Sequence, residues 1–146
     1  MHHGQITTEI AQGLRVLRER IAAAAIPSSK LDETLTLATW NIRDFGKRPR
    51  LDASIHFIAE ILGQFDLIAV TEVRDNLGDL SRVLGIWGPY WRAVYPDYIQ
   101  DAGGNRERMA YVYDRRAVVF TGLAAEPDAP REKNPQTGEY LPAITW

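Results

Sequence analysis

The sequence contains no cysteine, only three histidines and no surplus of positive charge. Without cysteine, the chain has no disulfide framework, no thiolate zinc site and no cysteine nucleophile. Its 17 lysines and arginines are balanced by 19 acidic residues, and the net charge is −2. No global positive field therefore indicates a polyanionic partner, and any polyanion site must be local, built from a few arginines.

Long hydrophobic runs are also missing. The longest uncharged apolar run lies near residues 21–27 and is far shorter than the roughly 20 residues that span a bilayer. No apolar segment typical of a secretory signal follows the N-terminus, which leaves the localisation open. The remaining composition, 45% hydrophobic and 25% charged over 146 residues, is typical of one soluble globular domain.

The hydrophobic pattern alternates between helical and strand periods, which predicts an α/β fold with a mixed sheet and helices packed on it. Helices are predicted at 7–25, at 52–62 with Asp52 as the N-cap, and from 76 or 79 to 84. Strands are predicted at 35–40, 66–71, 90–95, 108–113, 117–121 and 140–146, with a hairpin joining 108–113 to 117–121. Residues 1–33 are interpreted as a helix and linker, and residues 34–146 as the domain proper.

Two predicted buried strands are each followed directly by a polar residue. Asn41 follows Trp40 at the end of the first strand, and Glu72 follows Thr71 at the end of the second. If the helix at 52–62 is a right-handed crossover between parallel neighbours, Asn41 and Glu72 lie on one edge of the sheet. A carboxylate there suits a hard cation such as Mg²⁺, and an amide beside it can hold a phosphoryl oxygen. The structural alternative is that Glu72 pairs with Arg74 or caps the next helix.

Other polar groups near this edge have two interpretations each. The basic run at 47–50 is either a solvated loop or a loop that steers phosphates. Asp44 and Asp75 are either loop salt bridges or general-base candidates. The aromatic residues at 90–98 fit packing better than base stacking. His56 is predicted in the middle of a helix, and His2 and His3 are interpreted as a tag remnant or as part of a mobile terminus.

Three blocks resemble, in order and separation, the endonuclease/exonuclease/phosphatase superfamily, and most closely its deoxyribonuclease I branch. They are 37–46 (LATWNIRDFG), 68–75 (IAVTEVRD) and 105–113 (NRERMAYVY). The resemblance covers roughly 34–123 and implies a four-layer α/β sandwich of two similar halves, about twice this length. Because the second-half motifs are absent and a predicted strand stops at Trp146, we expect this chain to be the N-terminal half.

The resemblance also implies residue roles. Glu72 matches the metal-binding glutamate for Mg²⁺ or Mn²⁺, and Asn41 the asparagine that helps place the metal and the scissile phosphate. Glu107 matches the glutamate that orients a histidine acid/base, which the second half supplies. Arg43 and Arg74 match arginines that contact DNA. The activity implied is hydrolysis of DNA phosphodiesters.

Two alternatives stay open at this stage. Sphingomyelinases and inositol-phosphate phosphatases share the Asn and Glu, so the substrate can instead be a phospholipid head group or a phosphomonoester. The chain can also be a non-catalytic module that binds nucleic acid or itself. Half of a sandwich exposes an apolar sheet face, which predicts a homodimer or docking with a missing C-terminal half.

Overall fold

The computed structural model describes residues 1–27, 33–96, 106–124 and 131–142. The helices are α1 (Thr8–Ala23), α2 (Asp52–Leu62) and α3 (Gly78–Trp87). The strands are β1 (Leu37–Phe45), β2 (Leu67–Val73), β3 (Trp91–Val94), β4 (Arg108–Asp114), β5 (Arg131–Lys133) and β6 (Tyr140–Pro142). Among these residues, no helix has the length and apolarity to cross a membrane.

The main sheet has four strands in the order β1-β2-β4-β3. β1 and β2 are parallel, with Asn41 opposite Thr71, whereas β2–β4 and β3–β4 are antiparallel. β5 and β6 form a separate antiparallel pair. The mixed sheet with its helices confirms the predicted α/β class, and α2 provides the crossover between the two parallel strands.

The core lies between one face of the sheet and the helices α2 and α3. Alternate residues of β2 and β4, such as Ile68 and Val112, are fully buried against apolar residues of both helices. The opposite face carries Leu37, which is 62% exposed, together with the half-buried Tyr111 and Tyr113. α1 packs on α2 through the buried Ile10 and Leu14. The helices therefore cover only one face of the sheet within the described residues.

The ends of several elements differ from the sequence prediction. β1 continues through residues 41–45, which were predicted as a loop, so Asn41 lies inside the strand rather than after it. β2 likewise includes Glu72. The N-cap of α2 is Leu51, and Asp52 is the first helical residue. α3 continues through Gly85 to Trp87, because burial of Ile86 and Trp87 in the core stabilises the additional helical residues.

The hairpin predicted between 108–113 and 117–121 does not form. β4 already has β2 on one edge and β3 on the other, so no edge remains for a further partner. After the turn at 115–117, residues 118–124 instead contribute to a surface depression that also contains Leu67, Tyr111 and Tyr113. The predicted last strand is represented by β6, and its residues 143–146 lie outside the described part of the chain.

The backbone of His2 and the side chain of His3 contact the rest of the fold, contrary to the prediction of a mobile terminus. The backbone N–H of His2 donates to the carbonyl of Ile86 at 2.7 Å. Nε2 of His3 lies 2.7 Å from Glu60 Oε2, and its Nδ1 lies 2.8 Å from Nδ1 of His56. Glu60 is 5% exposed, so its charge requires partners, and His3 and Arg18 supply them.

Candidate active site

The backbone near Glu72 is irregular on both sides of β2. Between the pairs Asn41–Thr71 and Phe45–Val73, β1 holds two more residues than β2, and the pairing with β4 also shifts between Val70 and Val73. Asp44 and Glu72 both adopt left-handed backbone conformations, with φ of 53° and 59°. Bulges and such conformations re-aim side chains and concentrate at functional sites, where the surrounding structure stabilises them.

This geometry brings Asn41 and Glu72 together. Nδ2 of Asn41 donates to Glu72 Oε1 at 2.6 Å, and the backbone N–H of Asp44 donates to Oε2 at 3.1 Å. Each carboxylate oxygen thus accepts one hydrogen bond and keeps further lone pairs. Because Nδ2 of Asn41 faces Glu72, its Oδ1 is the atom left for a ligand.

The same contacts fix the charge of Glu72. The hydrogen bond from Asn41, followed by that from the Asp44 N–H, lowers the pKa of the Glu72 carboxyl below its ordinary 4.5. Hydrogen bonds to the charged form favour ionisation. Glu72 is therefore a carboxylate at neutral pH, which is the state that a cation needs.

Arg74 links the other two acidic side chains of this region. Its Nε donates to Asp44 Oδ1 at 3.0 Å, its Nη2 also contacts Asp44, and Nη2 lies 2.9 Å from Glu107 Oε1. The arginine side chain is only 14% exposed. The hydrogen bond from Arg74 is the main cause that lowers the pKa of Asp44. Asp44 is therefore a bound carboxylate and a weak base, as its salt-bridge interpretation predicted.

Arg43 differs from Arg74 in its surroundings. Its side chain is exposed on β1, and within the described residues it takes part in no hydrogen bond or ion pair. Its carbonyl oxygen accepts from Nη2 of Arg50. Within the described part of the chain the Arg43 guanidinium is thus unoccupied, whereas much of the Arg74 guanidinium is bound by carboxylates.

The residues fit a hydrated divalent cation better than a cation enclosed by protein. Among the described residues, no group of three or more His, Asp or Glu side chains has the geometry to hold a metal ion. Glu72 and Asn41 nevertheless provide hard oxygen donors on one edge. Mg²⁺ commonly binds through only one or two carboxylates, with waters and substrate phosphates as the other ligands. Glu72 provides one such carboxylate.

The structure gathers all five residues singled out from the sequence near one end of β1, β2 and β4. Asn41 contacts Glu72, Arg74 contacts Glu107, and Asp44 contacts both Glu72 and Arg74. The sequence did not reveal Asp44 as the link, because its contribution depends on its backbone N–H and on a left-handed φ. The chemical roles of these residues remain predictions.

A model of the endonuclease/exonuclease/phosphatase family matches residues 38–143, and the chain belongs to this family. The match covers β1 to β6, including all the site residues named above. Comparisons with curated proteins and with solved structures gave no match. The family domain implies a hydrolase of the phosphodiesterase, nuclease or phosphatase type, and such enzymes commonly use divalent metals.

Proposed function

We propose that the protein is a Mg²⁺- or Mn²⁺-dependent phosphodiesterase of the deoxyribonuclease I type, and that this chain supplies the first half of its active site. The observation that carries the proposal is the 2.6 Å hydrogen bond between Asn41 and Glu72 on two parallel strands. It holds an ionised carboxylate and an amide oxygen side by side, beside an exposed arginine, Arg43. That set suits a cation and a phosphate together.

Glu72 holds the cation in this proposal, and Asn41 orients the phosphate through its side chain. A bound divalent cation neutralises phosphoryl charge and polarises the phosphorus toward attack. Asn41 has a second effect, because its hydrogen bond to Glu72 restrains the carboxylate in one orientation. Such outer contacts commonly change metal affinity or activity about 10- to 100-fold.

Glu107 orients a histidine acid/base in this proposal, and its contact with Arg74 supports that role. It immediately precedes β4, and its carboxylate is held by Arg74 at 2.9 Å while remaining about a quarter exposed. One oxygen is therefore fixed and the group stays accessible. The histidine that it would orient is expected from a second half of the fold.

No described residue serves as a convincing general base. Asp44 is bound by Arg74, Asp75 is an exposed carboxylate that accepts from the Asn76 N–H, and His56 lies within α2 in contact with His3. Unassisted removal of the proton from water costs a factor of about 10²–10⁴ in rate. The chain by itself is therefore expected to cleave slowly compared with a complete enzyme.

DNA is the substrate that the surroundings of Glu72 favour. Arg43 is exposed, Lys47 and Arg48 follow it on the same side, and arginine binds phosphate through two donors. A simple phosphomonoester presents one phosphate, whereas a DNA strand presents further phosphates on both sides of the scissile bond. Hydrolysis of DNA, of phosphomonoesters and of phospholipids by the same preparation distinguishes the substrate classes.

The sheet face that no helix covers within the described residues favours a second, compatible function, which is self-association or docking with another polypeptide. Leu37 is 62% exposed there, and Val119 and Leu123 are more than 80% exposed beside it. Light scattering on the purified chain tests this proposal. A dimer or larger species supports it, and a monomer that binds no hydrophobic dye contradicts it.

The catalytic proposal is tested by nicking of supercoiled plasmid in Mg²⁺, with the chain compared with Glu72→Ala. Glu19→Ala, an exposed carboxylate on α1, is the matched control. We expect nicking by the parent and the control that disappears in Glu72→Ala at unchanged thermal stability. Equal nicking by all three proteins contradicts the assignment of Glu72.

A further inference from the structure

A depression of about 390 Å³ lies directly beside the Glu72 site. We define the basic loop as residues 46–50, which follow β1. The residues around the depression are four cations, one carboxylate and a proline: Arg43, Lys47, Arg48, Arg50, Asp44 and Pro49. A chain with a net charge of −2 thus concentrates positive charge in one place.

We propose that this depression is a second phosphate-binding subsite, which takes a phosphate of the same DNA strand next to the scissile one. The proposal rests on the proposed function, since it describes another part of the same substrate. It goes further by naming a residue set, Lys47 and Arg48 with Arg50, that the family resemblance does not include.

The subsite adjoins the site through Asp44. The Asp44 N–H donates to Glu72, and its carbonyl accepts from the Lys47 N–H at 3.0 Å. Asp44 therefore connects Glu72 directly to Lys47 of the basic loop. A strand whose phosphate is held at Glu72 has neighbouring phosphates within reach of this loop.

The loop is held in one shape. Gly46 has a φ of 94°, and an added Cβ there would lie 2.0 Å from the carbonyl oxygen of Asn76. The Arg50 N–H donates to the buried carboxylate of Asp79 at 3.1 Å, and the Arg50 carbonyl accepts from Arg82 at 2.9 Å. A preformed loop binds with less loss of conformational entropy than a loop that must order.

The cations of the loop have donors to spare. Among the described residues, the Arg48 side chain takes part in no hydrogen bond or ion pair and is exposed. Nε of Arg50 is buried without a hydrogen-bond partner in the same part of the chain, although Nη2 binds the Arg43 carbonyl. Asp44, the single carboxylate, is bound by Arg74 and also lies 3.3 Å from Nζ of the exposed Lys47, so a phosphate competes with Asp44 only for that lysine. An anion in the depression therefore meets unused donors and little repulsion.

DNA fits this subsite because contacts to phosphates position a strand without reading its sequence. Each phosphate neutralised by a cation also releases counterions, so the slope of log K against log[salt] reports the number of such contacts. Loss of one phosphate contact to duplex DNA lowers the magnitude of this slope by about 0.9.

The experiment measures anisotropy of a short fluorescein-labelled DNA duplex with the purified chain in EDTA, where hydrolysis is prevented, over a range of salt concentrations. The test variant is Lys47→Gln/Arg48→Gln. The matched control, Arg15→Gln/Arg20→Gln, removes the same charge from exposed positions on α1. Thermal unfolding of each variant verifies that it is folded.

We expect the loop variant to lower the slope by about 1–2 and to weaken binding about tenfold or more at moderate salt, with little change in the control. Equal slopes in both variants overturn the proposal. So does loop-dependent binding to vesicles of phosphatidylcholine and phosphatidylserine without binding to the duplex, because the loop would then be a lipid-binding surface.

The failure of this proposal is distinguishable from the failure of the proposed function. Loss of nicking in Glu72→Ala with an unchanged salt slope in the loop variant overturns the subsite alone. A loop-dependent slope without any Glu72-dependent nicking supports the subsite and contradicts the catalytic proposal.

Discussion

Nη2 of Arg74 lies 2.9 Å from Oε1 of Glu107, and this contact joins the end of β2 to the start of β4. The same guanidinium binds Asp44 on β1. Three strands are thus connected beside Glu72 by one side chain that is 14% exposed. Arg74 therefore positions the site, in addition to the DNA contact that the family resemblance predicts for it.

Replacing Arg74 by Gln removes the charge that Asp44 and Glu107 share. We expect the melting temperature to fall by about 2–4 °C, as for a loss near 1 kcal/mol in a domain of about 150 residues. Glu107→Gln measured alone and with Arg74→Gln completes a double-mutant cycle. If the two effects simply add, the contact between these residues contributes nothing to stability.

Replacing Asn41 by Ala removes the main cause that holds the pKa of Glu72 below 4.5. We expect the carboxylate to lose its orientation, so that the metal concentration required for plasmid nicking rises about 10- to 100-fold. Gln12→Ala, an exposed amide on α1, is the matched control. An unchanged metal requirement in Asn41→Ala contradicts the link between Asn41 and Glu72.

Replacing Gly46 by Ala forces a side chain into a left-handed conformation and against the Asn76 carbonyl oxygen, 2.0 Å from the new Cβ. We expect a loss of about 2–4 kcal/mol in the free energy of unfolding, from strain and the clash together. Gly85→Ala is the control, because it lies inside α3 with nothing within 4 Å and should stabilise by about 0.5–1 kcal/mol. Urea unfolding of both variants checks this pair, and an equal response at the two glycines contradicts it.

Acidification should destabilise the contact between the N-terminal segment and α2 in two stages. Burial, aided by His3, lowers the pKa of His56 below 6.5. As the pH falls below 6.5, the unfolded chain therefore takes up a proton at His56 more readily than the folded chain, and the folded state loses stability. The hydrogen bond from Arg18 lowers the pKa of Glu60 below 4.5, so its stabilisation is present above pH 4.5 and is lost as the pH falls through the lower folded value.

Urea unfolding as a function of pH measures both stages. We expect His56→Gln to remove the stage that begins near pH 6.5 and to leave the more acidic one, because Gln does not titrate. A pH profile of His56→Gln that coincides with that of the parent contradicts the assignment to His56.

Periodicity alone was sufficient to predict the helices and the strands of the main sheet. Apolar residues at helical spacing predicted α2, and two buried runs predicted β1 and β2, whose parallel pairing was the condition for the predicted site. Once those strands are parallel, the pairing of Asn41 with Thr71 places Asn41 beside Glu72. This part of the site follows from local pattern because the crossover connection has one favoured hand.

The tertiary structure decided what local pattern could not. The apolar residues at 117–121 have the composition of a strand, but β4 has no free edge for them. His3 packs against α2, where it is a partner of the buried Glu60, and no residue near His3 in the sequence predicts this contact.

The sequence by itself determined the α/β class, the family and the two residues, Asn41 and Glu72, that define the candidate site. Only the tertiary structure decided how Asp44 joins them, through its N–H to Glu72 and its carboxylate to Arg74. The physical reason is that these contacts depend on left-handed backbone conformations at Asp44 and Glu72, which packing between strands imposes.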